Sequence, residues 1–179
     1  MDEGVGVIPE NDLACRCRRR EPEALGRVAA EYGPRIYRWA YARCGDRELA
    51  GDIMQNTLAR FLQSIDRFEG RCSLLTWLYG ISQNLMSSMG RQVAAERRSL
   101  ERASHRAADA PDSPDIQGAL DLVRGLRDDL RAVAILHYVE GLSLSEISDV
   151  LGLPASTIKW RLFEGRRLLR ERLDGGRKP

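Results

Sequence analysis

The side chains with chemistry to offer lie along helical faces and do not form a catalytic cluster. Asp52, Gln55, Asn56, Ala59 and Gln63 fall at i, i+3, i+4, i+7 and i+11, which lines up one carboxylate and three amides on one side of a helix. That face is either a polar docking surface or a solvated one, although a solvated face is usually richer in Lys and Glu pairs than in amides. Farther along, Ser156, Trp160, Glu164 and Arg167, flanked by Thr157, Phe163 and Arg170, lie opposite the apolar stripe Ile158, Leu162, Gly165, Leu169 and Leu173. Hydroxyl, aromatic and guanidinium groups on one groove-sized helix suit base edges and phosphates of duplex DNA. A third group, Phe68, Trp77 and Tyr79 with Arg67 and Arg71 nearby, admits two readings: an aromatic core, or a surface that stacks unpaired bases.

Reaction chemistry has no comparable support. The sequence carries no Ser/His/Asp arrangement, P-loop or glycine-rich dinucleotide fingerprint, and His137 sits among apolar residues where packing explains it. An enzyme is not expected, nor any cofactor. Cys15 and Cys17 are only two positions apart, and neither paired CxxC units nor an HxxxH partner joins them, Cys44, Cys72 or His105 into a zinc-type set. Reduced thiols and no metal are the expectation. The acidic start MDEGVGVIPEND has no signal-peptide core, and no apolar run approaches the ~18 residues of a membrane span, so a cytoplasmic chain without membrane insertion is expected. Its net charge of +2 averages an acidic middle with basic segments. From Lys159 to Lys178 eight basic residues face three acids, and that local excess favours phosphate contact.

The elements that must carry these faces are all helical, since no run of alternating β-branched residues occurs. Apolar spacing of three and four over Leu13 to Arg43 predicts helix, with a kink or break at Gly33-Pro34. Arg16, Arg18, Arg19 and Arg20 near its start form a basic run, either solvated or touching phosphate. The next helix is expected from Glu48 to Ile65 with Met54, Leu58, Phe61, Leu62 and Ile65 inward. After a loop at Gly70 comes a helix with Leu74, Trp77, Leu78, Ile81 and Leu85 inward. The acidic, doubly proline-bearing stretch Asp109 to Asp115 reads as a linker.

The last part is the most strongly punctuated. Ser143 and Glu146 form a capping box, Gly152 stands where a left-handed stop is wanted, and Pro154 opens a new helix. Two helices across such a turn are either an ordinary helical hairpin or a helix-turn-helix, and the cationic second helix favours the latter. The reading is therefore all-α: two small helical domains joined by a flexible linker, the C-terminal one a helix-turn-helix. The boundaries are 10–93, 94–115 and 116–174.

Taken in order, GDRELAGDIMQNTLARF, RFEGRCSLLTWLYGISQNL, the linker and YVEGLSLSEISDVLGLPASTIKWRL resemble the extracytoplasmic-function group of bacterial RNA polymerase sigma factors. The resemblance implies a region 2-like domain that docks on core RNA polymerase through Asp52, Gln55, Asn56 and Thr57. It implies minus 10 element melting and capture of the non-template strand at Arg67, Phe68, Trp77, Tyr79 and Asn84. A region 4-like helix-turn-helix, Leu144 to Phe163, would then read the minus 35 duplex with Ser156, Thr157, Lys159, Trp160 and Arg161, with Arg167 on phosphate. An anti-sigma protein is the implied inhibitor and a stress or signal response the implied setting. Trp160 and Glu164 stand where the family usually carries small and basic residues, which implies an unusual minus 35 preference. The rival reading is a freestanding dimeric helix-turn-helix regulator.

Overall fold

The computed structural model describes residues 10–97, 122–123 and 125–175, and among them there are helices and turns but no strand. The segment 98–121 lies outside the described residues, and with it all of the expected linker 94–115 but residues 94–97, which are helical. Helix α1 is Glu10–Arg18 and α2 is Pro22–Cys44. The break falls ahead of Pro22 and not at Pro34, which sits inside a continuous α2. Ala30, whose carbonyl loses its partner to Pro34, is exposed, as is Pro34 itself, so the missing bond falls on the solvent side of the helix.

Asp46 caps α3, Arg47–Ser64, by accepting the Leu49 N–H at 2.9 Å. The helix passes into a 3-10 turn, Ile65–Arg67. Its core face is Ala50, Ile53, Thr57 and Phe61, rotated from the expected stripe, and Leu62 is 39 % exposed. Gly70 takes φ 72 in the following loop. Ser73 then caps α4, Leu74–Arg97, its hydroxyl accepting the Thr76 N–H at 3.0 Å.

Beyond the undescribed segment come α5, Asp128–Ala134, and a π turn, Ile135–Val139. The winding thus changes at Ile135, and His137 places Nδ1 3.0 Å from the Leu142 carbonyl. Then α6, Leu144–Leu151, and α7, Ala155–Gly175, build the helix-turn-helix. Both halves of the Ser143/Glu146 capping box are formed, and Gly152 takes φ 64. Ile147, Val150, Ile158 and Leu162 close its core.

The two helical groups pack on each other through α4 against α6 and α2 against α5. At the centre of the contact Glu140, with a side chain 1 % exposed, accepts from Arg35 Nε at 2.8 Å, and Arg38 lies 3.7 Å from its other oxygen. The Thr76 hydroxyl donates to Glu146 Oε1 at 3.1 Å, and Arg43 meets both oxygens of Asp128 at 3.0 and 2.6 Å. None of the four cysteines is joined to another in a disulfide. Among the described residues no group of three or more His, Cys, Asp or Glu could hold a metal ion, and no helix is long and apolar enough to cross a membrane.

Candidate polymerase and nucleic-acid surfaces

The outward face of α3 keeps Asp52, Gln55 and Asn56 exposed. Asn56 donates its amide to the Asp52 carbonyl at 2.8 Å, which fixes the side chain and leaves its own carbonyl outward. Thr57 departs from this set. It is fully buried, its hydroxyl donating to the Ile53 carbonyl at 2.7 Å. A hydroxyl satisfied four residues back on its own helix can be buried at little penalty, so Thr57 serves the core and offers a partner nothing.

The second surface is a polar cleft of about 610 Å³ between the C-terminal end of α3 and the middle of α4, lined by Arg60, Gln63, Ser64, Arg67, Ile81 and Asn84. It brings together Arg67 and Asn84, two of the residues expected at the opened strand. Arg60, Gln63 and Ser64 were not expected at the opened strand, Gln63 belonging instead to the candidate docking face, although their spacing from Arg67, seven, four and three, is the signature of one helical face. Two guanidiniums beside two amides equip the cleft for a phosphate and a base edge.

The aromatic members of that expected set lie elsewhere. Phe68 is 5 % exposed, with its ring centroid 5.1 Å from that of Trp77, and Trp77 meets the buried Phe61 edge-on at 6.0 Å. Trp77 itself is half-buried. Tyr79 is fully buried against Trp39, centroids 5.4 Å apart. Its hydroxyl is sequestered in the Arg35, Arg38 and Glu140 cluster, where burial first and then the neighbouring carboxylate push its pKa far above the ordinary value. Of the two readings of these aromatics, the core reading describes Phe68 and Tyr79.

The third surface is the outer face of α7. Ser156, Lys159, Trp160 and Phe163 are exposed, the aromatics by 54 % and 62 %, and Thr157 is partly so. Arg161 turns away, 3.8 Å from Asp129 of α5, so its charge braces the helix-turn-helix from behind. Arg167 is outward but occupied. It donates to both oxygens of Glu164 at 3.0 and 2.6 Å and to Glu171 at 2.5 Å. The hydrogen bonds it donates to Glu164 raise the Arg167 pKa above its ordinary value, and the same bonds lower that of Glu164.

Comparison with known proteins agrees with this layout. The Sigma-70 region 2 family model matches residues 28–96 and the Sigma-70 region 4 model residues 117–169. The chain is 30 % identical over 172 residues to the ECF RNA polymerase sigma factor SigW of Bacillus subtilis (strain 168), covering 87 % of this chain and 92 % of that one. To the ECF RNA polymerase sigma-E factor of Haemophilus influenzae it is 25 % identical over 182 residues, covering 93 % and 96 %. Among solved structures, the sigma factor RpoE in complex with the anti-sigma factor NepR from Bartonella quintana superposes with a TM-score of 0.75 at 25 % identity, covering 85 % and 98 %. CnrH in complex with the cytosolic domain of CnrY shares the fold, with a TM-score of 0.71 at 22 % identity, covering 93 % and 97 %.

Proposed function

We propose, for a chain that belongs to the extracytoplasmic-function group of RNA polymerase sigma factors, a division of labour among its three surfaces. The protein binds core RNA polymerase and directs it to promoters. Asp52, Gln55 and Asn56 of α3 dock on the polymerase. The cleft at Arg67 and Asn84, with Arg60, Gln63 and Ser64 added, holds the opened non-template strand at the minus 10 element. Ser156, Lys159 and Trp160 of α7, with Thr157 at the edge, read the minus 35 duplex. In domain terms, 10–93 is the docking and melting unit, 94–115 the linker and 116–174 the duplex-reading unit.

One observation carries this reading: a cationic, amide-bearing cleft and an exposed aromatic-basic helix face occur on separate parts of one chain. Duplex sequence is read along groove edges, whereas unpaired bases need a pocket and a phosphate grip, so the two tasks require two surfaces. Bond-making belongs to the polymerase, and the chain acts without catalysis of its own, in the cytoplasm, in a stress or signal response. An anti-sigma protein is the expected inhibitor, since the relatives in the two structures named above are held in complex with another protein, called an anti-sigma factor for NepR. The freestanding dimeric regulator is not favoured, because it gives the region 2 match no purpose.

The test is reconstitution with core polymerase. The wild-type chain is expected to permit transcription from a promoter that core alone ignores, and joint replacement of Asp52 and Gln55 by alanine to abolish polymerase binding with the thermal midpoint unchanged, because neither side chain is in the core. A stable dimer that footprints a palindrome without polymerase would reverse the assignment.

A further inference from the structure

At the end of α1 the backbone conformation and the residue that adopts it disagree. Glu21 N–H donates to the Arg16 carbonyl at 3.2 Å and Arg20 N–H to that of Cys17 at 3.0 Å, the paired closure of a Schellman motif. That closure puts Arg20 in the left-handed region at φ 60, as the one non-glycine residue with positive φ among those described. Glycine is what this position favours, because it has no Cβ to crowd the following carbonyl.

The arginine side chains offer a reason. Arg20 Nη1 donates to the Leu62 carbonyl and Nη2 to Asp66 at 3.1 Å, while Arg18 Nη2 donates to the Phe68 carbonyl. Leu62 is in the last turn of α3, where carbonyls lack helical partners and carry the negative end of the dipole. The two guanidiniums therefore cap the stretch from Leu62 to Phe68, and within it lie Gln63, Ser64 and Arg67 of the cleft wall. Anchoring α1 does not require them, since Leu13, Ala14 and Cys17 already bury its apolar side. Nor does the ion pair supply much stability: Arg20 and Asp66 are 46 % and 65 % exposed, and such pairs are weak. A strained residue retained for little stability at the rim of a binding cleft points to a positioning task.

We propose that Arg20, assisted by Arg18, is a positioning residue for strand capture, holding the end of α3 and the Ile65–Arg67 turn so that Arg67 and Asn84 share one cleft. The inference rests on reading that cleft as the strand-capture site. Arg20→Gly separates the two effects, because it relieves the backbone while deleting the guanidinium. Holoenzyme is assembled with each variant and titrated with a labelled single strand spanning the minus 10 segment of the promoter most strongly transcribed by the wild type. Arg20→Gly is expected to keep or raise the thermal midpoint, keep polymerase affinity and minus 35 duplex affinity, and weaken strand binding about tenfold. Arg20→Lys retains the charge but lacks the planar fork whose two nitrogens reach Leu62 and Asp66 separately, and is expected to recover part of the loss. Strand binding equal to wild type in Arg20→Gly overturns the proposal, as does a loss that tracks the midpoint and polymerase affinity together. Arg67→Ala and Asn84→Ala separate the two levels. If they lose strand binding and Arg20→Gly does not, the positioning role alone fails; if neither loses it, the cleft assignment fails and the positioning role with it.

Discussion

Thr57 and Arg167 show how far a side chain's type can be read without its surroundings. Both sit where helical periodicity allows an outward role, yet Thr57 is buried with its hydroxyl on the Ile53 carbonyl and Arg167 is held by two glutamates. Periodicity fixes an angle around the helix axis; it does not say which neighbour occupies that angle. Thr57→Val should therefore leave polymerase affinity unchanged and shift stability by less than about 1 kcal/mol, since the Ile53 carbonyl keeps its helical partner; binding titration and denaturant unfolding check both parts. On α7, Glu164→Ala releases one side of the Arg167 clamp. DNA affinity should rise on every duplex tested and the salt slope should steepen by about one, as expected when one more cation reaches phosphate. Trp160→Ala has a different signature, altering which minus 35 sequence is preferred. Equal effects of the two changes on all sequences would remove the outward-face assignment.

Local punctuation is the part of an element that sequence states most plainly. The Ser143/Glu146 box, the Gly152 stop and the Pro154 restart of the helix-turn-helix all depend on neighbours within a few residues, and all are present. The break between α1 and α2 is less legible, because its left-handed residue is arginine where a glycine would have announced it. At α6 the carboxylate of Glu146 accepts from the Ser143 backbone N–H at 2.9 Å and from its hydroxyl at 2.7 Å. Those bonds, the backbone one first, hold its pKa below the ordinary 4.5. A depressed carboxylate contributes stability that is present above its unfolded pKa and lost as pH falls through the folded value. Acidification below about pH 4.5 should thus loosen the start of α6 together with the Thr76 contact. Glu146→Ala should remove that acid sensitivity at a cost of about 1 kcal/mol near neutral pH. Amide exchange at the first turn of α6 against pH reads the effect, and an unchanged profile in the variant would exclude it.

For the whole molecule, contacts between distant segments decide the arrangement, and these were least visible beforehand: Arg35 and Glu140 meet across 105 positions of sequence. Glu140 takes two arginines out of α2, closes over Tyr79 and ties the helix-turn-helix group to the docking group. Removing an arginine leaves the buried Glu140 short of counter-charge, and removing Glu140 leaves two part-buried guanidiniums without theirs, either of which is more costly than losing a surface pair. Glu140→Ala should lower unfolding free energy by about 3 kcal/mol, and a double-mutant cycle with Arg35→Ala should show strong coupling. The same contact sets a geometric limit. A packed body of this size has a radius of gyration of roughly 15 Å, whereas elements centred near minus 10 and minus 35 are about 85 Å apart at 3.4 Å per base pair. If the cleft takes the minus 10 strand and α7 the minus 35 duplex as proposed, one compact body cannot occupy both, and the helix-turn-helix group is expected to leave α2 and α4 at the promoter, exposing Tyr79 and Thr76. Small-angle scattering of free Glu140→Ala should give a larger radius of gyration than wild type, while promoter-directed initiation in the assembled holoenzyme is retained. An unchanged radius would mean that Glu140 does not hold the groups together, and loss of initiation with normal polymerase binding would mean that the closed contact is needed in the working complex.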